Sequence, residues 1–257
     1  MSIAKIIIKA VSPIPKFEKC KRFLFVSPHP DDIEVGAGST VARLCELGKE
    51  VYYVIVTNGM LGAKDCKISS EELIEIRKKE VQESAKLLGV KEVLFLGFDD
   101  GGNYTQDDVS LELTKIYARI KPDIVFAPDP HLATECHFDH LKTGYAAANA
   151  CIMSNVALLL EKYGLEATQV KGLAYYYTAN PNFYFSTKKC IKKQIQALTI
   201  YKSQFEGSLD KKTSELGAIA LYLRLRSKKY GLLHGKSNAE AFRVLSPFMF
   251  HCCAEKM

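Results

Sequence analysis

The chain lacks several features that would place it outside ordinary globular proteins. No apolar segment approaches the roughly 20 residues of a membrane-spanning helix, and the chain has neither internal repeats nor low-complexity linkers. Repeat, fibrous and strongly disordered classes are therefore excluded. Without a convincing boundary, we expect one domain over residues 1–257, with residues 172–257 as a C-terminal elaboration.

Paired metal-binding cysteines are also missing. The eight cysteines are scattered through the chain and none has the C-x-x-C spacing, which favours a reducing compartment. Near the N-terminus the apolar run 6–8 is short and flanked by lysines, and no small-residue cleavage site follows it. We therefore expect a soluble, cytoplasmic protein.

Charge of one sign is not concentrated in this chain, apart from one run. The net charge of +6 comes from 35 basic and 29 acidic residues, and the only dense basic stretch is 188–193 (KKCIKK). We interpret this stretch as a solvated helix face; the alternative is a surface for nucleic acid or an anionic partner. Aromatic residues do not interleave with it, so we expect no nucleic-acid or membrane partner.

Apolar runs alternate with amphipathic stretches along most of the chain, and 47% hydrophobic composition over 257 residues supports a sizeable core. This alternation indicates βα units. It predicts an α/β protein with a Rossmann-like three-layer fold, a mainly parallel sheet and an elaborated C-terminal part. Strands are predicted at 22–26, 51–56, 93–96, 123–127 and 173–177, and helices at 35–47, 71–88, 107 or 108 to 120, 140–160, 187–203 and 214–228.

The most informative segment is 27–34 (SPHPDDIE), which directly follows the apolar run 23–26. Ligand sites of open α/β sheets form at the carboxyl ends of strands. His29, Asp31 and Asp32 would lie there, and buried carboxylates need a cation, a proton or several donors to offset desolvation. We interpret the segment as part of a metal site with one carboxylate free to act as a base. The alternative for His29 alone is a core histidine satisfied by hydrogen bonds.

A second polar cluster, at His137, Asp139 and His140, is a source for the missing ligand. Catalytic zinc sites use three protein ligands and keep one position open for water. The alternative for Asp139 is a cap for the helix that follows it. Because each of the first four predicted strands ends in polar residues, we expect one shared crevice. Those residues are His29, Asp31, Asp32, Thr57, Asn58, Asp99, Asp100, Asp129 and His131.

The two clusters in this order, 28–32 (PHPDD) and His137-x-x-His140, resemble the PIG-L/LmbE-like family of zinc-dependent N-deacetylases. The resemblance covers about residues 22 to 250, through the segments 57–59 (TNG), 77–80 (RKKE), 88–90 (LGV), 122–123 (PD) and 241–243 (AFR). Within this family, the sequence is most similar to the archaeal-type diacetylchitobiose and GlcNAc deacetylases. That similarity lies in the segments 126–130 (FAPDP), 175–178 (YYYT) and 203–205 (SQF) and in the ending 242–251.

The resemblance implies one Zn²⁺ per chain, with His29, Asp32 and His140 as its ligands and Asp31 as the general base. These residue types suit the reaction. Two neutral imidazoles and one carboxylate leave the zinc net positive, so bound water is acidified and the amide oxygen is polarised. Asp31 would accept the water proton and return it to the leaving amine.

The resemblance also implies roles for five further residues. His137, if protonated, would donate to the oxyanion, and Asp139 would orient a site histidine. Arg77 and Asp100 would line the sugar site, although Arg77 has the alternative of a helix-surface salt bridge. His251 would reach an active site, either its own or that of a neighbouring subunit, and its alternative is a plain C-terminal residue.

Three functions follow from these expectations. The favoured one is hydrolysis of the N-acetyl group of GlcNAc or diacetylchitobiose, an amino-sugar substrate, with release of acetate and a free amine. The second is the same chemistry on GlcNAc-malate or a related conjugate in thiol-cofactor biosynthesis, and the third is a non-catalytic ligand-binding protein on the same fold. The apolar segment 247–253 and the resemblance together predict a homo-oligomer.

Overall fold

The computed structural model describes residues 7, 10–62, 68–102, 104–205 and 214–251. Seven strands form one sheet in the order β3-β2-β1-β4-β5-β7-β6. β1 to β5 are parallel to one another, whereas β7 is antiparallel to both β5 and β6. The strands are β1 (Arg22–Ser27), β2 (Glu50–Thr57), β3 (Glu92–Phe98), β4 (Ile124–Pro128), β5 (Gly172–Tyr176), β6 (Phe183–Ser186) and β7 (Ala239–Leu245).

Helices cover both faces of the sheet and bury its apolar side chains. They are α1 (Asp32–Glu46), α2 (Ser70–Leu88), α3 (Gln106–Ile120), α4 (Phe138–Met153), α5 (Ala157–Glu161), α6 (Ile191–Leu198) and α7 (Glu215–Leu233). One core cluster joins the sheet to α1, α2 and α6, and a second joins the opposite face to α3 and α4. The predicted α/β class and mainly parallel sheet are confirmed.

The chain changes direction across the sheet at β1. From β1 it runs through β2 to β3 on one side, and it then returns to place β4 on the other side of β1. Parallel α/β sheets bind ligands at such a switch point, outside the carboxyl ends of the strands. The segment that follows β1 therefore opens into the crevice where a site is expected.

Several helix bounds differ from the sequence-based expectation. α1 begins at Asp32 rather than at 35, so a candidate ligand lies in its first turn. α3 is capped by Thr105, which accepts from the Asp108 amide while the Asp108 side chain accepts from the Thr105 amide, a capping box. The helix expected over 140–160 is two helices, because the chain turns at Ser154, whose carbonyl accepts from the Thr168 amide.

The C-terminal part adds two antiparallel strands that the sequence pattern did not predict. In β7, Glu240 is 4% exposed and interrupts the apolar pattern, and its carboxylate accepts from the Ser39 and Thr40 amides of α1. In the basic run, Lys188, Lys189 and Lys192 are exposed, as expected for a solvated surface. Among the described residues, no helix is long and apolar enough to cross a membrane.

Candidate active site

The loop between β1 and α1 is fixed by hydrogen bonds to its backbone carbonyls. Thr57, at the end of β2, donates to the Pro28 carbonyl through its amide (3.0 Å) and its hydroxyl (2.8 Å). The Ser27 hydroxyl donates to the His29 carbonyl (2.5 Å), and Arg77 donates to the Pro30 carbonyl (2.7 Å). With each carbonyl satisfied, the loop holds its three ionisable side chains in fixed positions.

Asp31, the last residue of this loop, has an unusual backbone conformation. Its φ of 112° and ψ of −26° lie in a region that residues with a side chain rarely adopt. Such a conformation costs on the order of 1–3 kcal/mol and persists where the surroundings enforce it, often at functional sites. The carbonyls on either side of Asp31 are both hydrogen-bonded, since Pro30 accepts from Arg77 and Asp32 accepts from Tyr177.

His29 lies at the centre of the site, between carboxylates on both of its ring nitrogens. Its Nδ1 is 3.2 Å from Asp32, and its Nε2 is 2.9 Å from Asp100 and 3.3 Å from Asp139. Burial favours the neutral imidazole, but the three carboxylates outweigh that effect and raise the pKa of His29 to about 12. A metal ion on one nitrogen would replace the proton there, because its charge inverts the local preference.

His140 approaches the same carboxylate from the first turn of α4. Its Nε2 lies 3.4 Å from Asp32 Oδ2, and its Nδ1 lies 3.1 Å from Glu135 Oε2 without hydrogen-bond geometry. Burial would lower the pKa of His140, and the Asp32 charge raises it above its ordinary value. The α4 helix thus brings the second histidine onto the carboxylate that His29 also contacts.

Asp32 is held on its other side by Tyr177, which follows β5. The Tyr177 hydroxyl lies 3.0 Å from the Asp32 carbonyl and 3.4 Å from Asp32 Oδ1, and its ring stacks on His140 at 6.1 Å. Burial opposes ionisation of Asp32, but the two histidines hold its pKa well below the usual range. The carboxylate is therefore ionised and oriented toward both imidazoles.

Two groups of side chains bring candidate ligand atoms within 4.8 Å of one another: His29, Asp32 and His140, and His29, Asp100, His137 and Asp139. The donor set of the first group, two nitrogens and one carboxylate oxygen, suits a divalent transition metal. In the second group Asp139 already accepts from the Tyr104 hydroxyl (2.5 Å) and the Gly101 amide (2.7 Å). The first group is the better fit.

Each histidine of this first group has a carboxylate near its second ring nitrogen, as metal-bound histidines usually do. Ligating imidazoles commonly place their second nitrogen against a carboxylate, which fixes the ring. With Nδ1 of His29 on the metal, its Nε2 faces Asp139 and Asp100. With Nε2 of His140 on the metal, its Nδ1 faces Glu135. The neighbours of both imidazoles are therefore those expected for a metal held by His29, Asp32 and His140.

The Asp31 carboxylate lies beside this group, with its side chain 16% exposed. Arg77, which is 3% exposed, approaches it to 3.2 Å and also donates to the Gly59 carbonyl. Burial raises the pKa of Asp31 to about 8, against the opposing charge of Arg77. A cation at Asp32 would lower that pKa and leave Asp31 ionised, because positive charge favours the carboxylate.

His137 forms the N-cap of α4, and its side chain is 49% exposed. Its Nδ1 accepts from the Asp139 amide at 3.3 Å, which places the ring proton on Nε2. Burial, together with the charges of His29 and His140, lowers the pKa of His137. The neutral ring already offers an N–H donor, so the protonation assumed from the sequence is unnecessary.

The structure brings most of the predicted site residues together. Arg77 and Asp100 both lie at the site, in contact with Asp31 and His29; a contact of either with a sugar stays a prediction. His251 is exposed at the end of the described chain, and its role also stays a prediction. The prediction that all these strand ends share one crevice is wrong for His131, because His131 lines a different cavity beside Tyr175.

Sequence reasoning missed Glu135, Tyr104 and Tyr177. Glu135 accepts from the His137 amide (2.8 Å) and faces His140, and its position two residues before the distal cluster was an available signal. Tyr177 adopts a left-handed backbone with φ of 57°, uncommon for a bulky residue, and ends the predicted fifth strand. Tyr104 lies in a loop and carries no local signal.

A cavity of about 440 Å³ opens next to the candidate metal ligands. Its volume falls within the range of small-molecule sites, which is about 300–1,000 Å³. The cavity runs from the ligand side to one face of α7. It is lined by Asp32, Gly36, Leu132, Glu135, His140, Tyr177, Thr178, Ala179, Tyr222, Arg226, Tyr230 and Ala241.

Comparison with known proteins places this site in a family. Residues 24–151 match the model of the PIG-L family, described as GlcNAc-PI de-N-acetylase. The diacetylchitobiose deacetylase of Thermococcus kodakarensis is 30% identical over 241 residues, 92% of this chain and 88% of that protein. The chain belongs to the PIG-L family. It is accordingly an enzyme of the deacetylase class, whose members hydrolyse N-acetyl amide bonds.

Two further relatives bear on what this PIG-L protein acts on. The solved N,N'-diacetylchitobiose deacetylase of Pyrococcus horikoshii, in complex with an inhibitor, superposes with a TM-score of 0.87 at 32% identity, covering 99% of this chain and 97% of that chain. A probable N-acetyl-α-D-glucosaminyl L-malate deacetylase 2 of Bacillus cereus is 33% identical over 138 residues, 51% of this chain and 60% of that protein. The first similarity extends through the C-terminal elaboration.

Proposed function

We propose that the protein is a zinc-dependent deacetylase that removes the N-acetyl group of GlcNAc or N,N'-diacetylchitobiose, releasing acetate and a free amine. The observation that carries this proposal is similarity to diacetylchitobiose deacetylases along nearly the whole chain. Similarity to the malate-conjugate deacetylase covers only 51% of the chain. Cytoplasmic location and homo-oligomeric assembly belong to the same proposal.

His29, Asp32 and His140 would hold the metal. Zinc is the proposed ion because two imidazoles and one carboxylate are a common ligand set of hydrolytic zinc sites. When bound, it supplies an acidified water and polarises the amide oxygen of the substrate. The remaining chemistry belongs to the side chains around it.

Asp31 is the proposed general base. Its carboxylate accepts a proton from the attacking water and passes it to the leaving nitrogen when the C–N bond breaks, so water and amide become acetate and amine. The Arg77 guanidinium lies 3.2 Å from this carboxylate and also donates to the Pro30 carbonyl of the same loop. Because the carboxylate is already oriented, less entropy is lost when the reactive geometry forms.

His137 is the proposed donor to the oxyanion. Because its Nδ1 is occupied by the Asp139 amide, its Nε2–H is the free donor of a half-exposed ring. A donor placed where negative charge develops stabilises the transition state. Asp139, fixed by Tyr104 and Gly101, orients His29 at the same time.

A substrate panel tests the proposal. The zinc-loaded enzyme is incubated with GlcNAc, diacetylchitobiose and GlcNAc-malate, and both free amine and acetate are quantified. The proposal predicts equimolar amine and acetate from GlcNAc or diacetylchitobiose. A strong preference for GlcNAc-malate would support the thiol-cofactor alternative. Zinc binding with no turnover of any substrate would support the non-catalytic alternative.

A further inference from the structure

One wall of the active-site cavity is a single face of α7. Tyr222, Arg226 and Tyr230 line it at intervals of four residues, so they lie one above another on the helix. At a rise of about 1.5 Å per residue, this row extends roughly 12 Å along the helix axis. The candidate ligands Asp32 and His140 line the same cavity. A row of this length is longer than the acetamido group that reacts.

Among the described residues, the Arg226 guanidinium makes a single hydrogen bond, so most of its donors are not used there. Its Nη2 donates to the Val35 carbonyl of α1 at 3.2 Å, and its guanidinium lies 5.2 Å from the centroid of the Tyr222 ring. A guanidinium has five N–H donors in a fixed planar fork. Those not directed at Val35 are available to hydroxyl groups of an occupant in the cavity.

The two tyrosines of this row differ in how they are supported. Tyr222 is 57% exposed, and its ring carries the Arg226 guanidinium. The Tyr230 ring packs edge-on against Tyr184 at 5.7 Å, which fixes its orientation. Tyrosine presents an apolar ring with a polar tip. Such rings suit a pyranose, which has an apolar C–H face surrounded by hydroxyls.

The charges along this wall favour a neutral occupant. Arg226 is the only lysine or arginine among the described residues that line the cavity, and Glu135 lines it as well. Burial raises the pKa of the Glu240 carboxyl, and the nearby Arg226 charge acts against that rise. A dicarboxylate such as malate would require more cations than the wall provides.

We propose that Tyr222, Arg226 and Tyr230 form the subsite for the second, non-reacting sugar of a disaccharide substrate. This inference rests on the proposed deacetylation of a GlcNAc-type sugar. It adds that the substrate is a disaccharide, and it names the residues that contact the second sugar. Binding energy gained there is available only to diacetylchitobiose, so the disaccharide should be turned over with a higher kcat/KM than GlcNAc.

The test compares kcat/KM for diacetylchitobiose and GlcNAc in the wild type and in Tyr222→Ala and Tyr230→Ala. Arg226 is left intact because it also holds the Val35 carbonyl of α1. Each variant should lower the ratio of the two constants by roughly tenfold, the scale of losing one apolar contact surface. Leu225→Ala is the matched control, since Leu225 is 62% exposed on the same helix and does not line the cavity.

Zinc content and melting temperature are measured on the same preparations, so that a misfolded variant is recognised and replaced by Tyr222→Leu or Tyr230→Leu. A wild type without preference for the disaccharide would overturn the inference, as would variants with an unchanged ratio. A wild type that hydrolyses neither sugar would instead overturn the proposed function. The two failures are therefore distinguishable.

Discussion

The carboxylate of Asp31 lies 3.2 Å from the guanidinium of Arg77, a side chain that is only 3% exposed. The same guanidinium donates to the Pro30 and Gly59 carbonyls, so it joins the loop after β1 to the loop after β2. The proposed base is thus positioned by a buried cation on α2. The helix-surface salt bridge weighed for Arg77 is not what the structure shows.

Arg77→Met should destabilise the fold and slow turnover together. Removing one partner of a buried, hydrogen-bonded ion pair costs roughly 3–5 kcal/mol, because the remaining groups lose their donors. Denaturant unfolding and kcat measure the two effects. Lys78→Met is the control, since Lys78 pairs with Glu75 on the exposed surface and such pairs contribute about 0.2–1 kcal/mol. A raised KM with unchanged stability would instead make Arg77 a sugar contact alone.

His137→Ala should lower kcat by about 10² to 10³, the usual effect of losing one oxyanion donor, while zinc content stays near one per chain. His137 belongs to the second of the two candidate ligand groups, so the variant also separates those groups. The measurement is zinc content by elemental analysis together with kcat. Loss of zinc in parallel with activity would show that His137 is a ligand.

Asp123→Asn should loosen the start of β1. The Asp123 carboxylate accepts from the Lys21 amide (2.7 Å), the Arg22 amide (3.0 Å) and the Lys171 ammonium (2.6 Å). Hydrogen bonds to a charged group contribute about 1.5–3 kcal/mol each, and the amide retains part of them. We expect the free energy of unfolding to fall by about 1–2 kcal/mol at pH 7.

The same variant should show a defined pH dependence. Burial of Asp123 opposes ionisation, but its amide and ammonium partners lower its pKa below the unfolded value of about 3.9. The folded state therefore binds fewer protons, so the stabilisation is fully present above about pH 4 and is lost as pH falls through the folded pKa. Urea titrations should show the difference between wild type and variant shrinking below pH 4. A constant difference down to pH 2 would contradict this.

Phe248→Ser tests the proposed assembly. Phe250 packs against the core, whereas Phe248, two residues earlier, is 54% exposed. If the exposed apolar side of this segment contacts a second subunit, loss of the Phe248 ring should weaken that contact. The variant should shift the protein to a smaller species in light scattering without changing zinc content. Leu158→Ser, which alters another apolar residue with 77% exposure, should leave the size unchanged. Equal sizes for all three proteins would refute the role of this segment.

Much of the fold followed from local pattern, because the central strands are continuous apolar runs buried on both faces. Strands predicted at 22–26 and 51–56 are observed as Arg22–Ser27 and Glu50–Thr57. β7 was not predicted, since the buried Glu240 breaks its apolar pattern to satisfy amides of α1. Such a tertiary partner has no signature in the strand itself.

The site residues that are close in sequence could likewise be predicted, whereas their distant partners could not. His29, Asp31 and Asp32 are adjacent in sequence, so a strand end sufficed to identify them as a group. The partners that orient them come from loops that only folding brings near. Tyr104 reaches the cluster through Asp139, 35 positions away, and Tyr177 reaches Asp32 across 145 positions.

We propose that His29, Asp32 and His140 hold the metal while Asp31 carries the proton. The most direct test is zinc content and amine release from diacetylchitobiose, measured on the same preparations of wild type, Asp31→Asn and His140→Ala. Asp31→Asn should retain its zinc, and its kcat should fall by about 10² or more. His140→Ala should lose zinc and activity together. A near-normal rate for Asp31→Asn, or full zinc in His140→Ala, would contradict this proposal.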